Sequence, residues 1–224
     1  MKSHEYAPFL LLQTFLLISS FWILQNIFDI GGAIDLRLIL PYINQNGEFT
    51  LRQSWALADL SHRYVKYLLT IVYLIFLTGW LMSLKKQVWY ERCWEFGYFF
   101  WMIILTTVAI RIFKAQSAHS CPWDMVMSTP YGIAWNLNAT AGHCFPGGHA
   151  STGFALMTGY FIYRISKPGR AYFFLISALI LGFGMGWAQM MRGAHFLSHN
   201  LWTGWIIWFL NVVAYGWLKH KLPK

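Results

Sequence analysis

The segment Cys144-Phe145-Pro146-Gly147-Gly148-His149-Ala150-Ser151-Thr152 leads from a polar loop into an apolar run over residues 149–165. Glycine has no side chain, so backbone N–H groups in this segment can approach an anion closely. A helix that begins near His149 would direct its positive end toward the same anion. Because imidazole titrates near neutral pH, the segment predicts both the start of a membrane helix and a phosphate site.

A second segment that contains histidines interrupts a later apolar region. It reads Gln189-Met190-Met191-Arg192-Gly193-Ala194-His195-Phe196-Leu197-Ser198-His199 and separates the apolar residues 171–190 from residues 199–218. Each of the two histidine segments thus lies at the end of an apolar run with the length of a membrane helix. This placement suggests phosphoryl chemistry at a membrane surface.

The composition is that of an integral membrane protein. Of the 224 residues, 57% are hydrophobic and 11% are charged, whereas soluble domains have about 25% charged residues. The first apolar stretch, residues 8–28, is too long and too aromatic for a cleaved signal peptide, so we interpret it as a retained span. The net charge of +9 is usual for a membrane protein, and we expect no nucleic-acid partner.

About six apolar runs are long enough to cross a bilayer, which requires about 20 residues. They cover residues 8–28, 65–84, 96–113, 149–165, 171–190 and 199–218. The sequence contains no internal repeat and no low-complexity segment. We therefore predict one all-α domain over residues 1–224, a polytopic membrane helix bundle of about six transmembrane helices.

The distribution of basic residues predicts the orientation of the chain. Ten of the 17 Lys and Arg residues fall at alternate ends of the apolar runs: Lys2, Lys85, Lys86, Arg92, Arg164, Lys167, Arg170, Lys219, Lys221 and Lys224. Because cytoplasmic loops collect basic residues, both termini are expected to be cytoplasmic. Lys114, His149, Arg192 and His195 then all lie on the outer side of the membrane.

Two outer segments lie beside these residues in the predicted topology. Residues 29–64 contain an amphipathic pattern that fits an interfacial helix near the site, and a covering loop is equally compatible with it. Cys121 and Cys144 share the other outer segment, where they are either paired in a disulfide or buried as free thiols. Cys93 is expected to be cytoplasmic and reduced. No cysteine pair has zinc-ligand spacing.

Three clusters, at residues 114–124, 146–152 and 189–199, together resemble the type-2 phosphatidic acid phosphatase superfamily. This superfamily includes membrane lipid phosphatases and the vanadium haloperoxidases. Its signature is Lys-x6-Arg-Pro, then Pro-Ser-Gly-His, then Ser-Arg-x5-His-x3-Asp. The combination here is similar to a divergent bacterial branch described as lipid A or other lipid phosphatases.

The clusters match the signature in part. The matching residues are Lys114, Pro122, Pro146, Gly148, His149 and His195. At the other positions the chain differs: Cys121 replaces the first arginine, Gly147 replaces the serine of the second motif, and Ala188, Gln189 and His199 replace the serine, arginine and aspartate of the third.

The resemblance implies catalytic roles that agree with the chemistry of these side chains. His195 would attack phosphorus and form a phosphohistidine. His149 would protonate the leaving oxygen and later activate water. Lys114 would balance the phosphate charge. His199, in a helical i,i+4 relation to His195, would orient the nucleophile as an uncharged substitute for the family aspartate.

The missing arginines and aspartate require substitutes. Arg192 lies three residues after Gln189, so both side chains face the same way on a helix and are candidates for phosphate binding. Arg111, one turn before Lys114, is a further candidate guanidinium. Asp124 is the one acidic residue within the motif segments and is a candidate for the missing negative charge.

The turn before the fourth apolar run supplies further candidate contacts to phosphate. The backbone N–H groups of Gly147 and Gly148 are expected to bind the anion. Ser151 and Thr152 are candidates for the hydroxyl donor that Gly147 does not have.

The resemblance predicts a lipid phosphatase that acts at the outer, periplasmic face of a bacterial inner membrane. Lipid A, undecaprenyl pyrophosphate and phosphatidylglycerol phosphate are all compatible substrates, and lipid-to-lipid phosphotransfer is an alternative reaction. No cofactor and no metal are expected. A metal site at His149, His195 and His199, or a transporter or scaffold that only recognises phosphate-bearing lipids, are the alternatives from other functional classes.

Overall fold

The computed structural model describes residues 6–90, 92–140 and 142–218. Its helices and strands are, in chain order, α1 (Tyr6–Asn26), α2 (Ala33–Ile39), α3 (Val65–Lys85), α4 (Gln87–Tyr90), α5 (Cys93–Gln116), α6 (Pro122–Met125), β1 (Val126–Thr129), β2 (Gly132–Trp135), α7 (Gly148–Phe154), α8 (Met157–Tyr163), α9 (Pro168–Met191) and α10 (Leu197–Leu218). In this part of the chain, five helices (α1, α3, α5, α9 and α10) are long and apolar enough to cross a membrane. The prediction of an all-α polytopic bundle is confirmed.

The fourth predicted span differs from the expected single helix. Residues 149–165 form two short helices, α7 and α8, in series. Between α7 and α8, backbone hydrogen bonds connect residues three apart, as in a 3₁₀ helix, and make the chain tighter than an α-helix. These bonds run from Leu156 to Gly153, from Thr158 to Ala155 and from Gly159 to Leu156. In α7, Gly153 allows close packing against α9, because a Cβ atom there would lie 2.5 Å from the backbone nitrogen of Gly182.

Two polar segments cover the end of the bundle that carries the histidines. Residues 29–64 contain α2, a 3₁₀ turn (Leu40–Tyr42) and a π-helical segment (Ala56–Tyr64). The other segment contains α6 and a hairpin in which β1 pairs with β2 in antiparallel register, Val126 opposite Trp135. This hairpin adds a small strand element that the apolar pattern does not predict.

The apolar side chains divide between the interior and the surface of the bundle. Phe99, Phe154 and Ile207 are completely buried where α5, α7 and α10 pack together. Other large apolar side chains are exposed along the long helices, among them Leu11 on α1 and Trp217 on α10. Soluble proteins bury most such surface, so this distribution is that of helices whose outer faces contact lipid.

One buried carboxylate joins the covering segment to the bundle. Asp35 of α2 accepts hydrogen bonds from the backbone nitrogen of Ser198 at 2.9 Å, from the Ser198 hydroxyl, and from the backbone nitrogen of Gly31 at 3.0 Å. Burial raises the pKa of Asp35, whereas these bonds act in the opposite direction. Ser198 belongs to the first turn of α10, whose N–H groups have no partner within the helix, so Asp35 caps α10 from a distant part of the chain.

We expect Asp35→Ala to lower the free energy of unfolding by about 2–4 kcal/mol, because it leaves buried donors of Ser198 and Gly31 without acceptors. The measurement is denaturant unfolding in detergent micelles. Asp124→Ala is the matched control, since it removes an exposed carboxylate and should change the same free energy by no more than about 0.5 kcal/mol. Equal losses in the two variants would contradict the capping role of Asp35.

Candidate active site

The two motif histidines contact each other at one end of the bundle. The Nδ1 atom of His149, in the first turn of α7, lies 3.3 Å from the Nε2 atom of His195, in the loop before α10. His149 is half-buried and His195 is buried, with 1% of its surface exposed. The α7 start and the α9–α10 connection therefore form opposite walls of one site.

The α9–α10 connection turns inward through a glycine. Gly193 has a φ of 76°, a conformation that favours glycine, and its nitrogen bonds to the Met190 oxygen while Ala194 bonds to the Gln189 oxygen. This pair of bonds is the Schellman motif that closes many helices. It ends α9 and places His195 in the protein interior.

The environment of His195 favours its neutral form. Burial lowers the pKa of His195 well below the usual value of imidazole, and the nearby His199 and Lys114 lower it further, while the Cys144 backbone acts in the opposite direction. A neutral imidazole has a nitrogen lone pair available for attack. This is the protonation state that a nucleophilic role requires.

Lys114 supplies positive charge beside the second motif. Its side chain is half-buried near the end of α5, and its Nζ atom lies 3.8 Å from the position that a Cβ atom would occupy on Gly148. It forms no ion pair with the acidic residues in the described ranges. The ammonium group is therefore free to neutralise an anion that enters between the two histidines.

The backbone N–H of Gly147, which the sequence predicts to bind phosphate, is hydrogen-bonded within the protein. Its nitrogen donates to the His199 oxygen at 3.2 Å, and its own oxygen accepts from the Thr203 hydroxyl at 3.2 Å. A Cβ atom at this position would lie 2.6 Å from Oδ1 of Asn200. The space that the family serine would need is thus occupied by α10, and Gly147 fastens the second motif to that helix.

A disulfide and a histidine complete the wall beside α10. Cys121 is joined to Cys144 by a disulfide, and the Cys144 nitrogen donates to the His119 oxygen at 2.9 Å. The ring of His119 lies 6.4 Å from that of His199, measured between centroids. The disulfide therefore links the first and second motifs.

His199 is fully buried, but its relation to His195 is not the helical one that the sequence predicts. The expectation of an i,i+4 pair is wrong, because α10 begins at Leu197 and His195 precedes it. The two rings lie 5.8 Å apart between centroids in an edge-to-face arrangement. His199 thus packs against the nucleophile candidate without sharing a helix with it.

Gln189 and Arg192 form a pair at the end of α9. The Arg192 guanidinium donates from Nη1 to the Gln189 side-chain oxygen at 3.2 Å and from Nε to the Arg52 backbone oxygen at 2.9 Å. Burial lowers the pKa of Arg192; of its charged neighbours, Asp59 raises it and Arg52 lowers it. The charged groups that shift the pKa of Arg192 are different from those that shift the pKa of His195. The Arg192 guanidinium is therefore electrostatically separate from the two histidines.

The remaining candidates lie outside the histidine contact. Arg111 is exposed on α5, and Asp124 is exposed and accepts a hydrogen bond from the Trp123 indole at 2.9 Å. The Asp124 carboxylate thus lies at the protein surface beside Trp123. The Ser151 hydroxyl donates to the Gly148 oxygen at 2.6 Å, so it is engaged within α7. Thr152 accepts a bond from the Tyr73 hydroxyl through its backbone oxygen.

Sequence reasoning missed the residues that hold the site together. Asp35, Asn200 and Thr203 are buried polar residues. The sequence signal that could have found them is a polar residue next to or within an apolar run, such as Asp35 between Ile34 and Leu36. Among the residues that the structure describes, no group of three His, Cys, Asp or Glu side chains is arranged to hold a metal ion.

The comparison with protein families gives a match over residues 95–222. A family model described as the PAP2 superfamily matches residues 95–222, which is more than half of the chain. No curated protein and no solved structure matches the chain significantly. The matched region includes the three motif clusters and excludes α1 to α4.

We expect Gly193→Ala to destabilise the protein by about 1–3 kcal/mol and to reduce any activity that depends on His195. A side chain at this position is strained by the positive φ, and its Cβ atom would lie 2.5 Å from the ring of Phe49. The measurement is thermal unfolding in detergent. Gly184→Ala in α9 is the control, because nothing lies within 4 Å of its added Cβ atom and it should be neutral or stabilising. Similar behaviour of the two variants would contradict this account.

The lowered pKa of His195 predicts a pH dependence of stability. The unfolded chain binds a proton on this imidazole near pH 6.5, whereas the folded protein does not until the pH is much lower. Stability should therefore decrease as the pH falls from about 6.5 to 5. His195→Gln should show a smaller decrease of the unfolding temperature over that range. Parallel pH profiles for the two proteins would argue against a buried neutral His195.

Proposed function

The chain belongs to the PAP2 superfamily, which includes membrane lipid phosphatases, and we propose that it hydrolyses lipid phosphates through a phosphohistidine on His195. The multi-pass helical fold and the family together make it a membrane protein of a phosphatase family. The lipid nature of the substrate, the covalent intermediate and the side of the membrane are parts of the proposal.

The contact between His149 Nδ1 and His195 Nε2 is the observation that carries this proposal. In the proposed reaction, the phosphate group enters between these two nitrogen atoms and replaces their direct contact. Nε2 of His195 forms a bond to phosphorus, and the bond from phosphorus to the lipid oxygen breaks. His149, protonated, gives its proton to that oxygen, so that a phosphate monoester leaves as an alcohol and a pyrophosphate leaves as a lipid monophosphate.

The second step returns the enzyme to its starting state. Neutral His149 removes a proton from a water molecule, the water oxygen bonds to phosphorus, and the bond from phosphorus to His195 breaks. Inorganic phosphate leaves, and His149 holds the proton that the next cycle uses. Two displacements of this kind replace one difficult displacement by water.

Charge around the histidines supports the transfer. Lys114 lies beside Gly148 with no acidic partner in the described ranges, so its charge is available to the phosphate oxygens. His199 packs against His195 and Phe196, which restricts the orientation of the nucleophile. The backbone of Gly148 and the side chains of Gln189 and Arg192 are the further proposed contacts to the substrate.

The position of the site at the helix ends suits an amphiphilic substrate. Exposed apolar side chains on α1, α3 and α9 face the lipid, and the histidines lie where these helices meet the polar covering segments. A lipid in the outer leaflet of a bacterial inner membrane would move laterally and present its phosphate at this level. Lipid A, undecaprenyl pyrophosphate and phosphatidylglycerol phosphate remain the proposed substrate candidates.

We expect purified wild-type protein to release phosphate from at least one of these lipids, and His195→Ala and His149→Ala to reduce the rate at least about a hundredfold. Each variant removes a group that makes or breaks a bond in the proposed reaction. The measurement is inorganic phosphate release in detergent micelles under identical conditions. His199→Ala should also lower the rate, because it removes the packing that orients His195.

The matched control is His143→Ala, which removes an exposed outer-loop histidine whose ring contacts the Ser117 oxygen. It should keep the wild-type rate. Denaturing the protein during turnover should trap an acid-labile phosphate on wild type and none on His195→Ala. Equal phosphate release by wild type, His149→Ala and His195→Ala would reject the proposal.

A further inference from the structure

A polar cleft lies next to the third motif but outside the histidine contact. It has a volume of about 480 Å³, and its lining includes Asn44, Glu48, Thr50, Arg52, Gln53 and Trp123. All of these residues except Trp123 belong to the covering segment 29–64. The cleft is therefore built mainly from a part of the chain that the family match does not include.

Residues that line the cleft contact Gly193, two residues before His195. The backbone nitrogen of Trp123 donates to the Gly193 oxygen at 3.0 Å. Phe49 is another lining residue, and its ring packs against Gly193 where a side chain would otherwise project. Anything bound in the cleft thus lies close, along the chain, to the proposed nucleophile.

Arg52 presents an unpaired guanidinium to this cleft. Its Cζ atom lies 4.4 Å from the centre of the Trp123 ring, a cation–π contact that holds the planar group in place. The guanidinium makes no hydrogen bond or ion pair with any residue that the structure describes. Glu48, the acidic residue of the lining, interacts instead with the side chain of Asn44 at 3.2 Å.

The side chain of Arg192 reaches the backbone of Arg52, and the two positive charges are close enough to interact. Its Nε atom donates to the Arg52 backbone oxygen, and its Nη1 atom donates to Gln189. The nearby Asp59 forms its ion pair with Arg63, at 3.8 Å, and it affects Arg192 electrostatically without forming an ion pair with it. Two neighbouring arginines that form no ion pair with an acidic residue of the described ranges are a typical site for a phosphate or carboxylate group.

We infer that Arg52 and Arg192 bind a second anionic group of the substrate headgroup, apart from the phosphate that is removed at His195. This inference rests on the proposed phosphatase function and specifies its substrate class: a lipid with two anionic groups on its polar end. Lys114 serves the scissile phosphate, and the arginine pair serves the other anion. The chemistry equally fits the headgroup of a neighbouring anionic lipid, and the experiment separates these two sources.

The test compares phosphatidylglycerol phosphate, which carries two phosphate groups, with phosphatidic acid, which carries one. In neutral detergent micelles, Arg52→Gln should lower the ratio of kcat/KM for the first lipid to that for the second by on the order of tenfold. The change should appear in KM. Arg52→Lys should give an intermediate ratio, because lysine keeps the charge but not the planar stacking on Trp123. The control is Arg37→Gln, an exposed arginine of the same covering segment that does not line the cleft, and it should keep the wild-type ratio.

A wild-type ratio in Arg52→Gln, measured on protein that releases phosphate, would overturn the inference and leave the phosphatase proposal intact. If wild type hydrolyses neither lipid nor the other candidates, the phosphatase proposal itself has failed. A second arm measures phosphatidic acid hydrolysis in zwitterionic vesicles with and without an added anionic lipid. An Arg52→Gln effect that appears only with the anionic lipid would assign the site to a neighbouring headgroup and would overturn its assignment to the substrate.

Discussion

The buried carboxylate of Asp35 accepts the backbone N–H and the hydroxyl of Ser198, and the position of the whole site depends on this contact. It fixes the first turn of α10 against the covering segment. The same turn of α10 then receives the Gly147 N–H on the His199 oxygen, which brings the second motif into place. Since His195 lies just before α10, the contact between the two histidines follows from where that helix begins.

Burial and charge act together on this arrangement. His195 is buried beside a lysine and a second histidine, so its charged form is disfavoured and its lone pair is available. Lys114 has the opposite requirement, because its charge is useful only if no carboxylate neutralises it. Two acidic residues of the described ranges make their contacts away from Lys114 and His195. Asp35 accepts hydrogen bonds from Ser198 in α10, and Asp124 is exposed beside Trp123.

The parts of the fold that depend on a continuous stretch of sequence, such as a long apolar run or a motif, were predictable. Long apolar runs indicated the helices, and the alternation of basic residues predicted that Lys114, His149 and His195 share a face. The break between α7 and α8 was not predictable from hydrophobicity, because residues 149–165 are apolar on both sides of it. The role of Asp35 was also hidden, since its partner Ser198 is 163 residues away along the chain.

The departures from the family signature form one connected set. A serine at position 147 would collide with Asn200, and a cysteine takes the place of the first-motif arginine and is used in the disulfide with Cys144. The third-motif arginine becomes Gln189, which accepts a bond from the guanidinium of Arg192 three residues later. Gly147, Cys121 and Gln189 each make a contact inside the protein. In the proposed function, the positive charge is divided between Lys114 at the histidines and Arg52 and Arg192 near the polar cleft, which is the distribution that a headgroup with two anions would need.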